Sequence, residues 1–346
     1  LIFCGYCRAN KFTYIFFVTL AIFLLAACGN KTEEQVVDEL KEKVEQMNGY
    51  KLKGTMTLAM GQDTQKYEVE VWHSKPDFYR VYLKNTENDQ SQMILRNKEG
   101  VFVLTPALNK SFKFQSEWPT NTSQPYLYES LITDILEDKE TEYLENDKHY
   151  VFETKTRYQY HKMLPLQEIT FNKSNLAPVS VKIMDQDRNV MLAVEFSEME
   201  FDAPFEEGAF DLNRNMTGAQ LEVPVATNEP EQSASMPLKI PMAELPGATL
   251  TDEEEILTAN GTRYIMTYEG EKGFTFIQEK EEAVPTSLTS APVNGDPVHI
   301  GATVGAITDR SLTWVEDGIK YMIASNNLTR EEMIMLAESL EVVSEK

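Results

Sequence analysis

The stretch YKLKGTMTLAM, Tyr50 to Met60, decides the fold. Leu52, Met56, Leu58 and Met60 share one face, while Lys51, Lys53, Thr55 and Thr57 share the other. A period of two marks a strand lying against a core on one side only. Just upstream the period changes. Val37, Leu40, Val44 and Met47 recur at three and four residues, which predicts a helix over 33–47 that Gly49 ends.

Downstream, the strand pattern repeats. YEVEVW (67–72), FYRVYLKN (78–85), SQMILRN (91–97), VFVLTP (101–106) and SFKF (111–114) are short, rich in β-branched and aromatic residues, and bounded by turn signals. Lys98-Glu99-Gly100 is one such turn. Leu127, Leu131 and Ile135 break the pattern and predict a helix over 126–136. HYVFET (149–154), LPLQEITF (164–171), PVSVKIMD (178–185) and VMLAVEF (190–196) then resume it. About ten antiparallel strands with two helices predict an α+β fold built on one large curved sheet or barrel.

A second unit follows. Residues 221–244 include VPVATNEPEQSASMPLKIPM, which carries four prolines and little periodicity, so they are expected to be a linker between residues 28–220 and a smaller α+β domain over 245–346. In that domain TRYIMTYEG (262–270) and GFTFIQEK (273–280) predict one hairpin. LTWVEDGIKYMIAS (312–325) predicts another, turning at Glu316-Asp317-Gly318. A closing helix is expected from Thr329 to Leu340, with Thr329 and Glu332 at capping-box spacing and Met333, Leu336 and Leu340 buried.

At the other end, residues 12–27 (FTYIFFVTLAIFLLAA) are uncharged and follow Arg8 and Lys11. This run is shorter than the roughly 20 residues of a bilayer span and has the layout of a secretory signal. Leu25-Ala26-Ala27-Cys28 then matches the bacterial lipobox: an aliphatic residue, two small ones and a cysteine. Residues 1–27 are expected to be a lipoprotein signal peptide and Cys28 the lipidation site, carrying a thioether-linked diacylglycerol whose acyl chains, such as palmitate, anchor the chain. Two chains suffice for stable anchoring. The implied location is the extracytoplasmic face of the cell membrane. Losing Arg8 and Lys11 with the signal moves the net charge from −23 to −25. That excess disfavours nucleic acid and anionic headgroups as partners.

Reactive chemistry is sparse. Cys4-Gly5-Tyr6-Cys7 has redox-pair spacing but precedes the apolar run of the signal. Asp185 to Asn189 mimics the start of a calcium loop, yet position 6 is Val190 and position 12 is Phe196, so a hairpin tip is expected. His73, His149, His161 and His299 are scattered, with no second ligand at metal-site spacing. Neither a nucleophile elbow nor a phosphate loop is present. The expectation is a binding protein without a cofactor, not an enzyme.

Lys75-Pro76-Asp77-Phe78-Tyr79-Arg80, Glu99-Gly100-Val101-Phe102 and FDAPFEEGAFDL (201–212), in that order, resemble the LolA-like family over residues 33–215. DQSQMILRNKEGVFVLTPALNKSF and QPYLYESLI bring the chain closer still to the YdcC-type sporulation lipoproteins of Gram-positive spore formers. The second unit is similar to small extracytoplasmic domains with Trp314, Gly318, Tyr321, Thr329, Glu331, Glu332, Ala337, Ser339 and Leu340 in their pattern. The two-domain order also resembles the RseB-type envelope-stress regulators.

The resemblance implies an open half-barrel with a helical lid and an apolar cavity that holds acyl chains. Candidate lining residues are Met56, Leu58, Tyr79, Val81, Met93 and Leu95. Two functions follow as expectations. One is binding of a lipid, acyl chain or lipoprotein during sporulation or spore-envelope assembly. The other is an envelope-protein scaffold or stress sensor without lipid cargo. A tethered chain is not expected to shuttle as a soluble carrier does.

Overall fold

The computed structural model describes residues 31–342, apart from 60–63, 88–89, 116–117, 119–122, 159–163, 223–235, 259–260, 282–289 and 302. Cys28, Met60 and His161 lie outside the described residues.

Helix α1 (Glu33–Gln46) opens the first domain behind a capping box in which Thr32 and Gln35 bond each other's backbone N–H. Its buried residues are Val36 and Leu40, with Met47 just beyond its end; Val37 and Val44 flank them. Eleven strands follow. They are β1 (Gly49–Leu58), β2 (Gln65–Ser74), β3 (Phe78–Asn85), β4 (Ser91–Asn97), β5 (Gly100–Thr105), β6 (Lys110–Phe114), β7 (Glu142–Glu145), β8 (His149–Lys155), β9 (Leu166–Asn172), β10 (Pro178–Met184) and β11 (Val190–Phe201). Helix α2 (Tyr128–Glu137) interrupts them after β6, and α3 (Leu212–Glu222) closes the domain.

The strands run antiparallel in the order β6-β5-β4-β3-β2-β1-β11-β10-β9-β8-β7, a large open curved sheet in which β1 joins the two arms. Its inner face can be followed as a cross-strand row: Leu52, Val71, Val81, Ile94, Val103 and Phe112 pair in register from β1 to β6. Helices α1 and α2 cover this face, with Val36, Leu40, Leu131 and Ile135 in one core with the row. Helix α3 covers the outer face, where Met216 and Ala219 pack with Met93, Leu95, Phe102 and Leu104.

The main sheet of the second domain has seven antiparallel strands in the order β13-β14-β15-β20-β19-β18-β17. These are β13 (Thr249–Thr258), β14 (Gly261–Glu269), β15 (Phe274–Lys280), β17 (Asp296–Ile300), β18 (Thr303–Ile307), β19 (Ser311–Glu316) and β20 (Ile319–Ala324). The β19–β20 turn has Asp317 at φ 53° and Gly318 at φ 73°, the mirror-image turn that suits strand twist. Helix α4 (Arg330–Glu338) carries the expected capping box, with Met333, Ile334, Leu336 and Ala337 buried.

The chain divides differently from the expected boundaries. Residues 221–222 still belong to α3. Strand β12 (Lys239–Pro241) pairs with β21 (Leu340–Val342), so the end of the expected linker is part of the second domain and Leu340 is in a strand, not a helix stripe. Strand β16 (Ala291–Val293) crosses back and adds a parallel twelfth strand beside β6.

Candidate functional site

The inner face is the candidate site, and four of the six expected lining residues share it. Met56, Leu58, Tyr79 and Val81 face α1, α2 and the second domain, between 0% and 7% exposed. Met93 and Leu95 are a correction. Val81 pairs with Ile94, so Ile94 points inward while Met93 and Leu95 point outward beneath α3. Strand β4 is buried on both faces, which erases the alternation that would have identified its inner side.

Beneath the start of α2 lies a polar cluster. Tyr50 Oη donates to Glu129 Oε2 at 3.0 Å and accepts from the Tyr128 N–H at 3.1 Å. Glu129 Oε1 is 3.0 Å from His73 Nε2, and His73 Nδ1 is 3.1 Å from the Phe78 carbonyl. A carbonyl only accepts, so Nδ1 donates there. Tyr79 stacks on the imidazole with ring centroids 4.3 Å apart. Burial, and then the Glu129 charge, push the Tyr50 phenol well above its usual range, so it stays a donor.

The far end of α2 is held as firmly. Asp134, 1% exposed, accepts from Ser123 Oγ at 2.8 Å and Gln167 Nε2 at 2.7 Å and pairs with Arg157. Burial raises the Asp134 carboxyl above the ordinary range, with the Arg157 charge opposing. Asp138, the cap beyond α2, accepts from Lys155 N and Thr154 Oγ1. The helical lid is thus fastened at both ends to the strands it covers.

The rest of the inner face meets the second domain. Its β17–β18 hairpin reaches β1: a Cβ added at Gly301 would lie 3.8 Å from Leu58 Cδ1. Val298, Ile300, Val304, Ala306 and Trp314 belong to the same continuous apolar core as Val103 and Phe114. Gln92 bridges the joint, accepting from Val304 N at 2.8 Å and donating to the Val315 carbonyl at 3.3 Å. Ser111 Oγ meets Ser290 Oγ at 2.9 Å, and Lys110 pairs with Glu281. His299 Nε2 lies 2.5 Å from Tyr126 Oη and 3.2 Å from Gln124 Oε1. Desolvation pulls His299 down to about 4 and pushes the half-buried Glu338, near the Gly301 N–H, up to about 7.

Among the described residues, two spaces line this joint. An apolar void of about 70 Å³ lies between Val103, Phe112 and Phe114 on one side and Val304, Ala306 and Trp314 on the other. A wider groove of about 350 Å³ is lined mainly by hydroxyl, amide and carboxylate residues, among them Gln65, Tyr67, Asn85, Ser91, Gln92 and Glu316.

From sequence alone His73 and His299 are scattered histidines without a second ligand, and nothing singles out Glu129 or Tyr126. One signal was available. His73 continues the inward parity of Val69 and Val71, and a histidine at an apolar parity needs a buried partner.

An open antiparallel sheet with two helices on its inner face and a smaller α+β domain closing the remainder is the α+β, large-curved-sheet architecture expected from the sequence. The chain belongs to the YdcC-like sporulation protein family, whose model matches residues 9–210; a domain of unknown function (DUF4367) matches 244–340. It is 49% identical over 328 residues to sporulation protein YdcC of Bacillus subtilis (strain 168), covering 94% of this chain and 96% of that relative. A chain of the Pseudomonas aeruginosa MucA/MucB complex aligns at 12% identity over 89% of this chain and 100% of its own, with a TM-score of 0.33. A LolA superfamily protein of Nitrosomonas europaea aligns at 11% identity over 51% of this chain and 98% of its own, with a TM-score of 0.29.

Proposed function

We propose that this sporulation protein is a lipid-anchored module on the extracytoplasmic face of the cell membrane that binds a protein partner of the spore envelope. One observation carries the choice of a protein over a lipid as cargo. The inner face, where an acyl chain would lie, is filled by α1, α2 and the β17–β18 hairpin. The apolar void that the described residues form along the joint, about 70 Å³, is well below the roughly 300–1,000 Å³ of ligand pockets. The anchor rests on Leu25-Ala26-Ala27-Cys28 and on the apolar run before it.

A second reading is carriage of an acyl chain or lipoprotein in the half-barrel. It is favoured by the apolar core that runs unbroken across the joint, because lifting the second domain would bare Leu58, Val103 and Phe114.

Cross-linking in sporulating cells, followed by native mass spectrometry of the chain from residue 29, separates the two. A stoichiometric protein partner and no retained lipid are expected. One acyl ligand per chain, with uptake of a fluorescent fatty acid, would overturn the proposal in favour of the second reading. For the anchor, Cys28→Ala is expected to abolish labelling by a palmitate analogue, and labelling that persists would remove the tether.

A further inference from the structure

The outer face of the sheet carries a second groove, remote from the joint. Lys51, Trp72 and Arg80 pair in register across β1, β2 and β3 and form its floor. Pro204, Phe205 and Ala209 wall one side, and Asn215, Gly218 and Ala219 of α3 wall the other. Its volume is about 710 Å³, within the range of sites that hold a small molecule or a few residues of peptide. Trp72 and Phe205 are only half-buried, with ring centroids 5.9 Å apart.

The charge here runs against the rest of the molecule. The chain is strongly acidic, yet three cations and one carboxylate line this groove. Two of the cations are already engaged. Arg80 donates to Glu70 at 2.6 Å and to Asn215 at 2.8 Å, with its guanidinium 4.4 Å from the centre of the Trp72 ring. Arg214 donates to Glu206 at 2.7 Å and to the Glu207 carbonyl at 2.8 Å. Lys51 has no ion pair or hydrogen bond among the described residues. Its ammonium is held 5.3 Å from the Trp72 ring centre and 5.2 Å from that of Phe205. The Lys51 charge also reaches Glu206, which Arg214 already pairs; a cation with no ion pair of its own, set between two aromatic rings, suits one further negative charge with an apolar flank. A phosphate dianion would find a single free donor, and the net charge of the protein repels a highly anionic surface.

We propose that this groove docks a peptide segment of a partner protein bearing one carboxylate beside an aromatic or aliphatic side chain, with Lys51 as its counter-ion and Trp72 and Phe205 as its apolar platform. The proposal rests on the partner-binding reading above and adds the place and the chemistry of contact. Gly218 supplies an independent handle, because a Cβ added there meets nothing within 4 Å. Gly218→Met would therefore obstruct the groove without altering its charge.

The test is a random heptapeptide library displayed on phage and panned against the chain from residue 29, which contains every described element. Lys51→Glu and Gly218→Met are panned in parallel after their melting temperatures are matched to wild type. Wild type is expected to enrich peptides with one Asp or Glu next to an apolar residue, at least tenfold over either variant. The leading peptide should shift Trp72 emission, since the other two tryptophans, Trp118 and Trp314, are buried, and its Asn or Gln counterpart should bind at least tenfold more weakly. Equal enrichment by the variants, enrichment without an acidic residue, or no enrichment would overturn the proposal. So would a Trp72 response to phosphatidylglycerol vesicles or inorganic phosphate with none to peptide. If Lys51→Glu cells still cross-link the partner fully, the groove falls and the partner reading stands. Peptide binding with no partner in cells has the reverse meaning.

Discussion

His299 Nε2 and Tyr126 Oη lie 2.5 Å apart across the joint between the two domains. Burial holds the phenol protonated and the imidazole neutral, and both groups also meet Gln124 Oε1 at 3.2 Å, where Tyr126 Oη donates. Tyr126→Phe removes the hydroxyl from this three-way contact and leaves the imidazole nitrogen with Gln124 alone. It is expected to cost about 1–2 kcal/mol in urea unfolding. An unchanged midpoint would show that the apolar contacts alone hold the joint.

The same joint has an acid–base balance. Glu338, at about 7 in the folded chain against 4.5 for a free carboxyl, gives stability that is complete below about pH 4.5 and lost as pH rises through 7. His299, at about 4 against 6.5, gives stability that is complete above about pH 6.5 and lost as pH falls through 4. Glu338→Gln should therefore stabilise the chain by about 1–2 kcal/mol at pH 8 and leave it unchanged at pH 4.5. Calorimetry at the two pH values reads this directly, and an equal gain at both would exclude titration as the cause.

Lys75 reaches back to the end of α1, where its ammonium donates to the Val44 and Glu45 carbonyls at 2.8 and 2.7 Å. These are last-turn carbonyls without a helical partner, and a cation there also opposes the negative end of the helix dipole. Lys75→Met keeps the stem and should cost about 1 kcal/mol at low salt, less at high salt. A loss independent of salt would point to packing instead.

Gly49 starts β1 where the backbone of β2 comes closest. A Cβ there would lie 2.2 Å from the His73 carbonyl oxygen, so the strands would have to part. Gly49→Ala is expected to destabilise by about 2–4 kcal/mol, measured by thermal unfolding. A shift within error would mean that β1 and β2 separate easily.

The sequence revealed those parts of the fold that are buried on one side. The alternation of Leu52, Met56 and Leu58 marks the inner face of β1, and the same reading locates nine further strands of the first domain and four of the second. It failed where that contrast is missing. Strand β13 is exposed almost throughout, so TLTDEEEILT carries no periodic signal. Strand β7 is four residues long. Helix α3 buries Met216 and Ala219, too few apolar residues for a stripe. The site suffered in the same way at β4, where two buried faces hid the direction of Met93 and Leu95. The joint was out of reach for another reason: His299 and Tyr126 are 173 residues apart, and no local pattern links them.

Strand β16 has a consequence for a chain gathered on a membrane as proposed. Open sheets end in unpaired backbone groups that recruit strands from neighbouring molecules, and tethering crowds copies into two dimensions. At one margin β16 is three residues long, covers β6 and contains Pro292, which has no N–H to offer. At the other, β7 is short and bears Glu142 and Glu145. Both margins are thus poor templates, so neighbouring copies can be packed densely without zipping together sheet to sheet.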